Sequence, residues 1–178
     1  MQRLLSSPGG SRVIEVRLAW DELQFAAEVG VRRRIYGLSQ CKVRDGQVAH
    51  LTGYQDNVLG ACGEMAVAKY LGLYWPPSIG TTRHNGVKPP DVAGYEVRTR
   101  SVNWWDLMLH KRDPDERIAI LILAEKEPIF LLPGWILCAD GKLPKYWDDP
   151  SKKAGGPSRP AFFIPQDDLA SMETLPDP

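Results

Sequence analysis

The stretch that decides the fold is Ile118-Ala-Ile-Leu-Ile-Leu-Ala124, an unbroken apolar run. A short run without polar alternation, rich in β-branched residues, is typical of a strand that is covered on both faces. Such a strand needs other elements packed on each side of its sheet. The run therefore predicts the central strand of a layered α/β or α+β domain.

Hydrophobic spacing and turn residues outward from this strand predict a sheet with a helix before and after it. Residues 1–178 fit a single domain, with its core over about 11–172 and flexible ends at 1–10 and 173–178. The first predicted elements are a strand over 13–18, a helix over 21–38 capped by Asp21, an exposed connection over 41–57 and a helix from Asp56 or Asn57 to Leu71 ended by Gly72. Strands follow over 95–102, 107–110 and 118–124, and a further strand over 129–132 and 135–138 is interrupted by Pro133-Gly134. The last elements are a loop over 148–160, a strand over 162–164 and a short helix over 165–172.

Glu64 is an acidic residue on an apolar helical stripe. Its neighbours three and four positions away are Gly60, Ala61, Val67 and Ala68. A carboxylate on such a stripe points toward the protein and needs a cation, a hydrogen-bond donor or a metal. A structural glutamate bonded to arginine or to the backbone is the alternative.

A hairpin is predicted at Asp91 to Glu96, with Ala93-Gly94 as its two-residue loop. In this register Val92 faces Tyr95 and Asp91 faces Glu96. Like charges directly opposite one another are destabilising, unless a hard divalent cation lies between them. Strand alternation places Glu96, Arg98 and Arg100 on one face. A surface hairpin with incidental charges remains the alternative.

Three segments together resemble a known family. Gly63-Glu64 on a helix, then Pro90-Asp91, then Glu96-Val97-Arg98-Thr99 resemble the PD-(D/E)XK nuclease superfamily. The segments GEMAVAKYLG, DVAGYEVRT, PGWI and FFIPQDDL resemble uncharacterised phage and bacterial proteins of this type, over about residues 58–172. The resemblance implies a restriction-endonuclease-like core, with a central mixed β-sheet flanked by helices, and a phage or prophage origin.

The resemblance also implies a site and an activity. Asp91 and Glu96 would ligate Mg²⁺ or Mn²⁺, with Glu64 completing the shell, in a phosphodiesterase that acts on DNA. Arg98 occupies the family's lysine position. Arginine stays protonated and cannot act as a base, although it can stabilise negative charge in a transition state. The alternative is a catalytically impaired nuclease-fold protein that binds nucleic acid or a host protein partner. A third interpretation is a phage accessory or inhibitor protein whose partner surface lies elsewhere, such as the aromatic region around Trp104 and Trp105.

Candidate contacts to nucleic acid are basic or aromatic. Arg32, Arg33 and Arg34 form either a solvated helix face or a phosphate contact, and Arg83, Lys88 and Arg100 are further candidates. For Trp104-Trp105 there are two interpretations. Either at least one ring packs in the core and the other covers the sheet edge, or one ring stacks on a nucleobase.

Composition limits the remaining classes. Lys plus Arg equal Asp plus Glu at 22 each, so the net charge does not indicate that the protein binds nucleic acid. The three cysteines form no CxxC pair, which predicts reduced thiols in a cytoplasmic protein and no zinc site. No apolar run approaches the length of a transmembrane helix, and the N-terminus has only Leu4-Leu5 where a signal peptide needs an apolar stretch of about 7–15 residues, so secretion is not expected. A homodimer is left open.

Overall fold

The computed structural model describes residues 3–6, 12–40, 50–80, 89–156 and 158–177. The elements are β1 (Arg3–Ser6), β2 (Arg12–Arg17), α1 (Trp20–Ser39), α2 (His50–Leu71), β3 (Glu96–Arg100), β4 (Leu107–Leu109), β5 (Ile118–Lys126), β6 (Ile129–Leu137), α3 (Cys138–Gly141), β7 (Trp147–Asp148), α4 (Pro150–Lys153) and β8 (Ala161–Ile164), with 3₁₀ turns at Pro144–Tyr146, Gln166–Asp168 and Met172–Thr174.

The central sheet has five strands in the order β1-β2-β6-β5-β3. The pair of β3 and β5 is parallel, and the other pairs are antiparallel. β5 contains the apolar run, and its residues from Ala119 to Ala124 are buried. The predicted central strand and the predicted α+β class with a mixed sheet are therefore confirmed.

Different layers cover the two faces of the central sheet. Ile120 and Ile122 of β5 point into a core shared with α1 and α2. Leu121 and Leu123 point into a second core, shared with the antiparallel sheet β4-β8-β7. The long helices thus lie on one face, and a small sheet takes the place of helices on the other. β3 is an edge strand of this sheet.

The helix ends differ from the prediction in two places. α1 begins at Trp20, and its first turn is capped by Glu22, whose Oε2 accepts the Ala19 N–H at 2.6 Å; the predicted cap at Asp21 is wrong. α2 begins at His50, so the predicted start at Asp56 or Asn57 is also wrong. The side-chain amide of Asn57 instead donates to the Gly53 carbonyl within the helix at 2.7 Å.

The predicted end of α2 is confirmed. Gly72 has a φ of +68°, in the left-handed region that glycine tolerates best. Its N–H donates to the Lys69 carbonyl, and the Leu73 N–H donates to the Ala68 carbonyl. These two bonds form a Schellman motif, which satisfies carbonyl groups left open at the helix end.

The last third of the chain also departs from the prediction. β6 runs through Pro133-Gly134 without the interruption predicted there. The expected helix over 165–172 is replaced by separate 3₁₀ turns, because Ala170 exchanges two backbone hydrogen bonds with Trp135 at 2.9 and 3.0 Å. The predicted loop over 148–160 contains the single helical turn α4, capped by Asp149.

Residues near both ends of the chain make hydrogen bonds to the rest of the fold. β1 pairs with β2 along all four of its residues. Near the other end, the Tyr95 hydroxyl donates to the Pro176 carbonyl at 2.5 Å. Within the described residues, no helix combines the length and the apolar character needed to cross a membrane.

Candidate functional site

The turn before β3 has the predicted two-residue loop. Ala93 and Gly94 both have positive φ, at +44° and +99°, as a type I′ turn requires. Val92 and Tyr95 form the closing pair. Asp91, however, does not face Glu96 across a strand pair. Its Oδ2 accepts the Val97 N–H at 3.0 Å, which fixes the Asp91 carboxylate at the start of β3.

Alternate residues of β3 serve different layers. Val97 is in the core beneath the helices, and Thr99 lies against Gly63 of α2, so closely that a Cβ added to Gly63 would meet the Thr99 hydroxyl at 2.0 Å. Glu96 and Arg98 therefore point to the other face. The alternation predicted for this strand is observed.

Arg98 is the centre of the acidic side chains on that face. Its Nη1 lies 3.2 Å from Glu96 Oε2 and 3.9 Å from Asp91 Oδ2. Its Nη2 lies 2.9 Å from Asp113 Oδ2. A planar guanidinium with several donors can contact carboxylates on different sides at once, which a lysine ammonium cannot do in the same geometry.

A second arginine completes the group. Arg117, directly before β5, donates through Nη1 to Glu96 Oε1, so each oxygen of the buried Glu96 carboxylate contacts an arginine. We call Asp91, Glu96, Arg98, Asp113 and Arg117 the Arg98 cluster. It contains three carboxylates and two guanidinium groups.

The pKa values of two members of the Arg98 cluster are shifted by the charges around them. Burial raises the pKa of Asp113, but the charge of Arg98 and hydrogen bonds from His110 N–H and Arg98 outweigh it, and the pKa is lower than usual. Burial alone would lower the pKa of Arg98, but Asp113, Glu96 and Asp91 raise it above its ordinary value. Both groups are therefore held in their charged forms at neutral pH.

Glu64 is in a separate ion pair, on the face of the sheet that carries the helices. Arg33 of α1 donates to both of its oxygens, at 2.6 and 2.7 Å, and Trp75 Nε1 donates at 3.1 Å. Burial raises the pKa of Glu64, Arg33 lowers it, Asp91 adds to the increase, and the net shift is upward. Glu64 is thus a helix glutamate bonded to arginine.

The structure accordingly brings together some of the predicted site residues and separates others. Asp91, Glu96 and Arg98 lie within one cluster. Glu64 is paired with Arg33 and belongs to α2, although it is close enough to Asp91 for their charges to interact. Arg83 and Lys88 lie outside the described residues.

The other arginines considered as phosphate contacts differ in their exposure and in the side chains beside them. Arg32 is exposed on α1. Arg34 is half-buried, with its guanidinium over the Tyr54 ring at 6.0 Å. Arg100 lies over the Trp105 ring at 5.3 Å. Only Arg32 therefore matches the solvated helix face that is one interpretation of residues 32–34.

The fit of the acidic residues to a magnesium ion can be tested on this geometry. Hard divalent cations take several oxygen ligands around one point. Within the described ranges, no three His, Cys, Asp or Glu side chains are placed to share an ion. Glu64 and Glu96 instead direct their oxygens at arginines. As they stand, these side chains fit ion pairs and not a three-carboxylate magnesium site, and the magnesium prediction stays a prediction.

Two members of the Arg98 cluster were not singled out from the sequence. Arg117 carries a usable signal, because it precedes Ala119 by two positions and Ala119 is the partner of Glu96 in the parallel register. Asp113 carries none, since it reaches Arg98 from a turn whose path depends on tertiary packing.

Trp104 and Trp105 are both at the surface, with 73% and 38% of their area exposed, so the interpretation that placed one in the core is wrong. Their rings contact edge to face, with centroids 5.8 Å apart. The aromatic pair is therefore presented to solvent beside Arg100.

Comparisons with known proteins gave no match for this chain. No model of a known family fits it, and no curated protein or solved structure matches it. The resemblance to PD-(D/E)XK nucleases therefore rests on the quoted residues alone.

Proposed function

We propose that this protein has a restriction-endonuclease-like core and uses it to bind nucleic acid without metal-dependent cleavage. The observation that carries the proposal is the position of Arg98, with one nitrogen 3.2 Å from Glu96 and 3.9 Å from Asp91. These are the two carboxylates that would otherwise share a cation.

Replacing the arginines by a metal ion would be costly. Arg98 and Arg117 are largely withdrawn from water, with 19% and 14% of their side-chain area exposed. A metal on Glu96 would take the carboxylate from both, and a buried charge that loses its partner is strongly destabilised. The ion pairs therefore argue against a metal ion at this site, and so against metal-dependent hydrolysis there.

Arg100 is the best-placed contact to phosphate among the described residues. It lies one residue pair beyond Arg98 on the same face of β3, and its Nε donates to the Asp106 carbonyl at 3.2 Å. The carboxylate of Asp106 is close enough for its charge to act on the Arg100 guanidinium. The planar fork of donors on an arginine suits contact with a phosphate, and a phosphate at Arg100 would compete with Asp106 for the guanidinium.

The test is the fluorescence anisotropy of a labelled oligonucleotide titrated with the protein, at several salt concentrations and with either EDTA or Mg²⁺. We expect binding that weakens with salt and is unchanged by EDTA. Arg100→Gln should reduce the salt slope by about 1, whereas Arg159→Gln on an exposed loop should not.

The same samples, run on a denaturing gel, report cleavage. Cleavage in Mg²⁺ or Mn²⁺ that Asp91→Ala abolishes would replace this proposal with the metal-dependent phosphodiesterase. A protein that binds no oligonucleotide at low salt would also contradict the proposal and would leave the protein partner as the remaining alternative.

A further inference from the structure

The connection between β3 and β4 presents two indole rings at the surface. Trp104 is 73% exposed and contacts the Trp105 ring at a near-perpendicular angle of 89°. Exposure of a large aromatic ring sacrifices the free energy that its burial would supply. Unlike the equally exposed Trp20, Trp104 lies against a second ring, so the two indoles together offer a surface on which another planar group can stack.

The backbone of this connection is anchored. The side-chain amide of Gln166 donates to the Asn103 carbonyl at 2.7 Å and to the Trp105 carbonyl at 3.1 Å. One amide group therefore holds the backbone on both sides of Trp104. A ligand that stacks on Trp104 meets a backbone whose ordering cost has already been met within the protein.

A positive charge accompanies the rings. The Arg100 guanidinium lies 5.3 Å from the centre of the Trp105 ring, and its Nε is fixed by the Asp106 carbonyl. Burial is the main reason that the pKa of Arg100 is below its ordinary value. The nearby Asp106 carboxylate offsets part of this loss of hydration. Exposed rings beside a guanidinium therefore suit a ligand that combines a planar ring with a negative group.

We propose that Trp104, Trp105 and Arg100 form a stacking site for unpaired nucleotides, with a base on Trp104 and a phosphate on Arg100. The inference deepens the proposed nucleic-acid binding and rests on it. Stacking on an aromatic side chain requires an accessible base face, which single strands and frayed ends offer and a closed duplex does not. The site therefore selects single-stranded nucleic acid.

The closing experiment compares three labelled oligonucleotides: a single strand, a closed hairpin duplex of the same composition, and the single strand with abasic positions. Trp104→Ala is compared with Trp20→Ala, because Trp20 at the start of α1 is also 73% exposed. Circular dichroism and thermal unfolding confirm that both variants are folded.

We expect Trp104→Ala to weaken binding of the single strand by roughly 5- to 150-fold, the range that loss of one stacked base produces. Trp20→Ala should bind as the wild type does. The abasic strand should bind the wild type and Trp104→Ala equally, because it retains phosphates and lacks bases.

Two failures are distinguishable. If the wild type binds all three oligonucleotides and Trp104→Ala behaves like Trp20→Ala, the stacking site is wrong and nucleic-acid binding stands. If the wild type binds none of them, nucleic-acid binding itself is wrong and the stacking site is rejected with it.

Discussion

Arg98 Nη1 lies 3.2 Å from Oε2 of Glu96, a residue on the same face of the same strand. The contact joins the two residues that the resemblance to the PD-(D/E)XK pattern places at that pattern's lysine and acidic positions. With Arg117 on the other oxygen of Glu96, the motif becomes a closed set of ion pairs. We infer that Arg98 and Arg117 take the place of a shared cation.

Arg98→Lys tests whether the fork of the guanidinium matters. A single ammonium cannot contact Glu96 and Asp113 in the way that Nη1 and Nη2 do. We expect the variant to lose roughly 2 kcal/mol of unfolding free energy, the scale of a hydrogen bond to a charged group. Denaturant unfolding measures this, with Arg112→Lys at an exposed position as the control. Equal effects of both substitutions would contradict the role of Arg98.

Glu64→Gln tests the second ion pair. Arg33 and Glu64 are shielded, with 17% and 9% of their side chains exposed, whereas the pair of Lys69 and Glu22 between the same helices is 35% and 31% exposed. We expect Glu64→Gln to cost about 3 kcal/mol and Glu22→Gln less than about 1 kcal/mol. Chemical denaturation of both variants compares them. A smaller loss for Glu64→Gln than for Glu22→Gln would show that burial does not decide their strength.

Gly63→Ala tests the close approach of α2 to β3. The new methyl group would meet the Thr99 hydroxyl at 2.0 Å, so we expect a loss of about 1–3 kcal/mol from overpacking. Gly60→Ala on the same helix, where nothing lies within 4 Å, should gain up to about 1 kcal/mol from helix propensity.

The Thr99 substitution identifies the cause of that loss. Thr99 Oγ1 is buried and has no hydrogen-bond partner among the described atoms, so removing it forfeits little bonding. Adding Thr99→Ala to Gly63→Ala should therefore restore part of the stability. A double variant as unstable as the sum of the two single ones would place the clash elsewhere.

Asp113 predicts acid sensitivity. Its pKa in the folded protein lies below the ordinary value of 3.8, so its stabilising contribution is complete above that pH and is lost as the pH falls through the folded value. Unfolding free energy measured from pH 5 to pH 2.5 should fall more steeply in the wild type than in Asp113→Asn. Parallel curves would show that Asp113 is not held by Arg98 in solution.

Local patterns predicted much of the fold. The run at 118–124, the helix over 21–38, the left-handed cap at Gly72 and the Ala93-Gly94 turn depend on neighbouring residues, and all of them are observed. The start of α2 was missed, because a good capping residue such as Asn57 can also bond within a helix.

The site was less predictable, because its partners come from distant parts of the chain. Strand alternation gave the common face of Glu96, Arg98 and Arg100, and the Glu64 stripe gave its need for a cation. The cation that Glu64 finds is Arg33, which lies 31 positions away in the sequence. This pairing depends on how α1 packs on α2. The turn that brings Asp113 to Arg98 depends likewise on tertiary packing.

Calorimetric titration of Mg²⁺ and Mn²⁺ into the wild type, with Glu96→Ala as the matched variant, shows whether the arginines occupy the place of a metal ion. If Arg98 and Arg117 hold the carboxylates of Glu96 and Asp91, neither protein should give a saturable heat at millimolar metal. A saturable heat in the wild type that Glu96→Ala abolishes would contradict the account and establish a metal site at the start of β3.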